Sequence, residues 1–205
     1  MANKRLVVGV SGASGAALAH GLLDQMSRQT NWETHLVISS AASRTIELEL
    51  QASAAELGDV ASVVYDENDM AAAIASGTFQ TEGMAVIPCS MKSLAGIAHG
   101  YTDNLLLRAA DVTLKEQRKL VLVARETPLG RIHLDNMSRL AECNARIIPP
   151  MMTFYTRPRT IEDMVDHIVG KVLGEFGIKG RNFHRWRDDE SGKQLDPRRG
   201  NDGTV

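Results

Sequence analysis

Short apolar runs recur along the chain, separated by longer stretches in which apolar and polar residues mix. Residues 6–10, 35–38, 84–87 and 120–123 form nearly continuous apolar runs. A strand with one wet face alternates, so unbroken runs of this length predict strands buried on both faces of a parallel sheet. A shorter run at 146–148 and a weaker one at 62–65 extend the series. Residues 16–27, 42–51, 105–116, 135–142 and 161–176 lie between or after these runs and read as helices. Alternation of this kind predicts an open α/β sheet with helices on both faces. Ligands of such sheets sit at the carboxyl ends of the strands, so the loops after each run are the places to look for chemistry.

Composition narrows the field. The 205 residues are 43% hydrophobic and 23% charged, enough for one α/β domain with a full core. We assign that domain to residues 1–186 and read 187–205, which is polar and contains Gly and Pro, as a mobile tail. A net charge of -2 offers no electrostatic footprint for nucleic acid or an anionic membrane. No apolar run approaches the ~20 residues that span a bilayer. The N-terminus enters the first run without a signal-peptide pattern. Cys89 and Cys143 form no CxxC pair, which fits a reduced, cytoplasmic location. The six histidines show neither HxH nor HExxH spacing, so metal catalysis has no support, and no GxSxG elbow marks a serine hydrolase.

The first run leads into Gly9-Val10-Ser11-Gly12-Ala13-Ser14-Gly15 and then a helix. Glycine lets a backbone approach a phosphate, and a helix N-terminus offers unpaired N–H groups and a positive dipole end. Ser11 breaks the GxGxxG spacing of a dinucleotide site, and the second run ends in Ser39-Ser40 rather than a carboxylate. What remains is a mononucleotide phosphate site with hydroxyl donors, or a tight turn with Ser14 as a cap. Pro88-Cys89-Ser90-Met91-Lys92-Ser93 follows the third run at the same predicted edge. Pro88 is expected to stop that strand. Ser90 and Ser93 suit phosphate or polar ring edges, or simply open a helix, and Met91 suits contact with an aromatic ring.

Arg108, Asp111 and Lys115 are spaced to share one helix face, either as a solvated charge face or as part of a site. Arg125 and Glu126 follow the fourth run. Adjacent opposite charges near a core are unfavourable unless used, so Arg125 reads as a phosphate ligand and Glu126 as a proton carrier raised by partial burial. Tyr155 either binds an anion or ends an apolar patch. Lys171 by default is a surface lysine. Trp186 either closes over a site or fills a subunit contact.

Several runs together resemble the UbiX flavin prenyltransferase family. They are SGASG (11–15), Ser39-Ser40, PCSMKSLAGIAHG (88–100), RAADVTLKE (108–116), LVLVARETPL (120–129), IHLDNM (132–137) and FYTRP (154–158). The likeness covers roughly residues 4–186. Met70, in place of a tryptophan common in the ubiquinone branch, and NDMAAAIASGTF (68–79) resemble the branch associated with phenolic and hydroxyarylic acid decarboxylases.

The resemblance implies a three-layer Rossmann-like, flavodoxin-type subunit that assembles as a homododecamer with sites at subunit interfaces. It implies transfer of a dimethylallyl group from dimethylallyl phosphate to N5 of reduced FMN, with ring closure at C6 and no metal. The prenylated FMN would pass to a UbiD-type decarboxylase. By the same resemblance Gly12, Ala13, Ser14, Ser39, Ser90, Met91, Lys92, Ser93 and Arg125 would hold FMN. Tyr155, Lys171 and Arg108 would bind the donor phosphate. Ser14, Lys115, Glu126 and Glu49 would serve catalysis. Ala124 departs from the proline usual before the Arg-Glu pair. Two other readings stand beside this one. A cysteine decarboxylase of the same fold would call for a PxMNxxMW-like segment, which residues 149–153 lack. A non-catalytic, FMN-carrying accessory protein of a hydroxyarylic acid decarboxylase is the other. The catalytic reading expects all these segments to converge on one crevice.

Overall fold

Every strong apolar run becomes a strand of one parallel sheet. The computed structural model describes residues 3–186, so the expected tail lies outside the described residues. The strands are β1 (Lys4–Val10), β2 (Trp32–Ile38), β3 (Val63–Tyr65), β4 (Gly83–Cys89), β5 (Lys119–Ala124) and β6 (Arg146–Ile147). The helices are α1 (Ala16–Ser27), α2 (Ser40–Leu50), α3 (Ala54–Gly58), α4 (Met91–Ala98), α5 (Leu105–Lys115), α6 (Arg131–Glu142) and α7 (Ile161–Glu175).

Alternation along each strand feeds two cores. Leu6, Val8 and Val10 pack with α1 and α7 on one face, while Val7, Met84 and Val86 pack with α4 and α5 on the other. Each large apolar side chain buried this way contributes on the order of 1.5–3 kcal/mol. This is the three-layer Rossmann-like arrangement. The strand order is β3-β2-β1-β4-β5-β6. The chain therefore leaves β1 toward one sheet edge and returns at β4 toward the other. The crevice between their carboxyl ends is the topological switch point, where ligands bind in such sheets.

Three sequence expectations are corrected. Pro88 does not stop β4, which runs on to Cys89 through a cis Ile87–Pro88 peptide and a register shift between Val86 and Cys89. Its missing N–H is tolerated there, and its carbonyl is used by the neighbouring loop. Helices α3 and α4 add to those expected. Helix α6 begins at Arg131, one turn before the expected start.

Candidate functional site

The two loops at the switch point are stitched by Ser11, which in the sequence stands out only as an interruption of a glycine pattern. Ser11 is buried, and its Oγ donates to Pro88 O at 2.9 Å and accepts from Ser90 N at 2.7 Å. Its own N–H donates to Pro88 O at 3.2 Å. The only signal in the sequence was that a hydroxyl stood where a dinucleotide loop wants glycine.

Helix caps then fix the walls. Ser90 caps α4, its Oγ accepting from Ser93 N and donating to Ser93 Oγ, each at 3.2 Å. Ser39 caps α2 by accepting from Ala42 N at 3.2 Å. Helix α2 lies across the start of α1: a Cβ at Gly12 would come within 2.6 Å of the Ala41 Cβ, so only glycine fits there. Ser14 is not the cap of α1. That position is Gly15, with φ 121°, and Glu49 from α2 supplies the acceptor. Its Oε2 takes the Gly15 and Ala16 N–H groups at 2.9 and 2.8 Å. Burial alone would push the Glu49 carboxyl up, but the Ser14 hydroxyl, these two amides and the charge of Arg125 hold it below the usual range. The expected anion position at the α1 N-terminus therefore carries a carboxylate of the chain itself. Ala13 is buried beside it, while Lys92 and half-buried Met91 open α4.

Arg125 continues from β5, its N–H donating to Cys89 O at 3.0 Å. Arg125 and Glu126 are exposed rather than partly buried, because β5 ends at Ala124 and the chain turns outward. Both line a cavity of about 320 Å³ with Leu129, Met137, Pro149 and Met151. Cys89 lies beneath, fully buried, its thiol pushed up to about 12 by burial.

A second group gathers on α7. Tyr155 meets His167 and Trp186 edge-on, at centroid distances of 5.8 and 5.0 Å. Lys171 is exposed one turn beyond His167. Burial, then the charges of Lys171 and His184, hold His167 below the usual imidazole range, and among the described residues neither of its ring nitrogens has a hydrogen-bond partner. His167 also lines a smaller apolar cavity of about 180 Å³ with Leu18, Met151, Met152 and Ile161. Phe183 tilts against His167 at 5.3 Å. The ring group was not legible in sequence, since His167 and Trp186 lie 12 and 31 positions beyond Tyr155.

The third group does not join the others within one chain. Helix α5 starts near the carboxyl edge, where Leu105 N donates to Glu67 O, and ends at Lys115, four residues before β5 begins. A six-residue strand spans about 17–20 Å, so Lys115 sits at the opposite edge of the sheet from Arg125 and Glu126. There it pairs with Glu116 at 2.5 Å. Arg108 pairs with Asp111 at 2.9 Å and donates to Ala75 O at 3.2 Å. A single chain thus brings together the loop residues, Glu49 and Arg125, and separately Tyr155 and Lys171. Within one chain the expected convergence of Lys115 on the same crevice is not met, and Arg108, though in the first turn of α5, commits its guanidinium to Asp111 and Ala75.

The crevice fits a flavin mononucleotide by the chemistry of its donors. A cradle at Gly12 closed to any side chain, the hydroxyls of Ser14, Ser39 and Ser90, the cations Lys92 and Arg125, and an apolar-walled cavity suit a phosphate joined to a planar ring. Among the described residues no group of three or more His, Cys, Asp or Glu is placed to hold a metal, and no helix is long and apolar enough to cross a membrane.

Comparison with known proteins agrees. The flavoprotein family model matches residues 1–173. The chain is 50% identical over 186 residues to the flavin prenyltransferase LpdB of Lactiplantibacillus plantarum, covering 91% of this chain and all of that protein. A dodecameric FMN-dependent UbiX-like decarboxylase from Escherichia coli O157:H7 superposes with a TM-score of 0.87 at 50% identity, over 89% of this chain and 98% of that one. The structure of AnUbiX (PadA1) in complex with FMN and dimethylallyl pyrophosphate gives 0.88 at 46% identity, over 92% of this chain and 100% of that one. Half-identity over nine-tenths of the chain, added to a flavoprotein fold with a mononucleotide crevice, places this protein in the UbiX-like flavin prenyltransferase family.

Proposed function

We propose that the protein joins dimethylallyl phosphate to reduced FMN, alkylating N5 and closing a ring at C6, to supply prenylated FMN to a UbiD-type aromatic acid decarboxylase in the cytoplasm. The observation that carries this is the switch-point crevice, where the Gly12–Ser14 loop, Ser90–Ser93, Glu49 and Arg125 meet beside the cavity lined by Glu126. In this reading Gly12, Ala13, Ser14, Ser39, Ser90, Met91, Lys92, Ser93 and Arg125 bind and orient FMN, which supplies the nucleophilic nitrogen when reduced.

Tyr155 and Lys171 receive the donor phosphate. Cations around a leaving oxygen stabilise the charge that develops as the bond breaks. Within one chain Lys115 stands at the far edge, paired with Glu116, while Arg108, in the first turn of α5, is already paired with Asp111. A second copy of the chain bringing its α5 face to the crevice would supply them, and a homododecamer provides such copies. Glu126, which in the single chain accepts from the adjacent Thr127 N–H at 3.0 Å, gains burial in the same assembly. It then serves, with Ser14, to move the proton released on ring closure. Leu129, Met137 and Met151, exposed or half-buried in the single chain, would wall the site against water once the assembly covers them.

The test is anaerobic incubation with reduced FMN and dimethylallyl phosphate, with the diphosphate in a parallel arm, followed by mass analysis of the flavin. Addition of one prenyl unit is expected. Flavin of unchanged mass in both arms overturns the reading.

A further inference from the structure

The chain after α7 doubles back along that helix and is fastened by one buried carboxylate. Asp166 is 3% exposed. The Arg181 guanidinium grips it with a fork, Nε to Oδ2 and Nη2 to Oδ1, both at 3.0 Å. Gln25 of α1 donates to Asp166 Oδ1 at 3.0 Å and accepts from Arg181 N at 2.7 Å. Asn182 Nδ2 donates to Oδ2 at 3.2 Å, and the third arm of Arg181 reaches Asp24 at 2.9 Å. Breaking a pair whose carboxylate is buried leaves that charge uncompensated, so this clamp is held strongly.

What the clamp holds is the ring group. A Cβ at Gly180 would lie 2.5 Å from the Gly170 Cα, so the segment seats its backbone directly on α7. Phe183 then lies over Gly170 and against His167. Trp186 stands edge-on to Tyr155. Asn182 and His184, with Thr156, Arg157 and Arg159, line a polar cavity of about 350 Å³ that His167 also borders.

We propose that Asp166 and Arg181 are positioning residues for the prenyl-donor subsite. Their ion pair fixes residues 180–186 as a wall beside Tyr155 and Lys171, and Trp186 and His184 keep water from the donor's allylic carbon. The proposal rests on the reading that Tyr155 and Lys171 receive the donor. It separates the donor from the flavin, because the clamp touches none of the residues assigned to FMN. Misplacing a reactant by about 1 Å is enough to slow a reaction a hundredfold.

The full-length variants Arg181→Met, Arg181→Lys and Asp166→Asn test it, with FMN bound. Hydrogen–deuterium exchange of residues 178–186 is expected to speed up roughly tenfold or more in Arg181→Met. The KM for dimethylallyl phosphate should rise by about tenfold or more with FMN affinity unchanged, and Arg181→Lys should recover part of both. If Asp166→Asn does not fold, Arg181→Met decides alone. Unaltered exchange, or faster exchange with an unchanged donor KM, overturns the proposal, as does a parallel fall in FMN affinity. Wild-type protein that yields no prenylated flavin overturns the reading beneath it, while an active wild type matched by an equally active Arg181→Met variant overturns the clamp alone.

Discussion

The switch-point crevice and the outer face of α5 carry the same kinds of residue in opposite conditions. The loops of the crevice are wired across the chain: Ser11 to Ser90, Glu49 to the α1 amides, Arg125 to Cys89. On α5, Arg108 and Lys115 are bonded to near neighbours in sequence and to one loop carbonyl. The first region is finished within one chain. The second presents cations whose local partners are weak, since exposed ion pairs contribute about 0–1 kcal/mol. Such cations are easily redirected when another surface arrives. In the proposed reaction the flavin half of the chemistry belongs to the fold, while the donor phosphate, met by Tyr155 and Lys171, gains its α5 cations only from the assembly.

The sharpest break of that contrast is Lys115→Ala. We expect kcat to fall by about 10²–10³ with FMN affinity unchanged, as for loss of a group aimed at developing charge. Mixing Lys115→Ala with Glu126→Gln subunits should restore activity that neither variant shows alone, because some sites then draw both intact residues from different chains. Absence of recovery after verified subunit exchange would return both residues to one chain.

Next in size, Ser11→Ala strands the Ser90 N–H and removes a buried bridge. A loss of about 1–3 kcal/mol is expected in urea unfolding, together with weaker FMN binding. A smaller effect follows from Glu49→Gln, which weakens the charge at the α1 N-terminus. For an exposed carboxylate we expect about 0.5 kcal/mol after solvent screening. Because the folded protein holds this carboxyl below its usual range, its contribution is present above the unfolded pKa and fades as pH falls through the lower folded value. The variant should therefore lose less stability than wild type on acidification below about pH 4.

The mildest test concerns His35 and His167, both held below the ordinary imidazole range, chiefly by burial. The unfolded chain then takes up protons first, so stability declines as pH drops from about 6.5 toward the folded values. Replacing either with Gln should flatten the slope of the denaturation midpoint across that window.

The sheet was legible because parallel strands buried on both faces leave continuous apolar runs, as at 6–10 and 120–123. Helix α4 was harder, since Pro88 reads as a breaker and the helix has only eight residues. The loops at the switch point were legible as loops, but not the bridge from Ser11 to Ser90, whose partners lie 79 residues apart. Arg125 and Glu126 read as core-facing because they adjoin an apolar strand, yet the chain turns outward one residue earlier. The α7 face was least legible: the ring contacts and the Asp166 clamp join residues whose sequence neighbours are ordinary helix and loop. Helical spacing placed Arg108 and Lys115 together, and it carries no information about which edge of the sheet that helix end reaches.

Cys89 lies at the end of β4, one residue before Ser90 of the crevice. Burial pushes its thiol up to about 12, which keeps it in the protonated, weakly nucleophilic form at neutral pH. An allylic electrophile is a general alkylating agent, and sulfur would ordinarily be its preferred target. Sealed in the sheet and kept protonated, this cysteine would not compete with the flavin for the allylic donor of the proposed reaction.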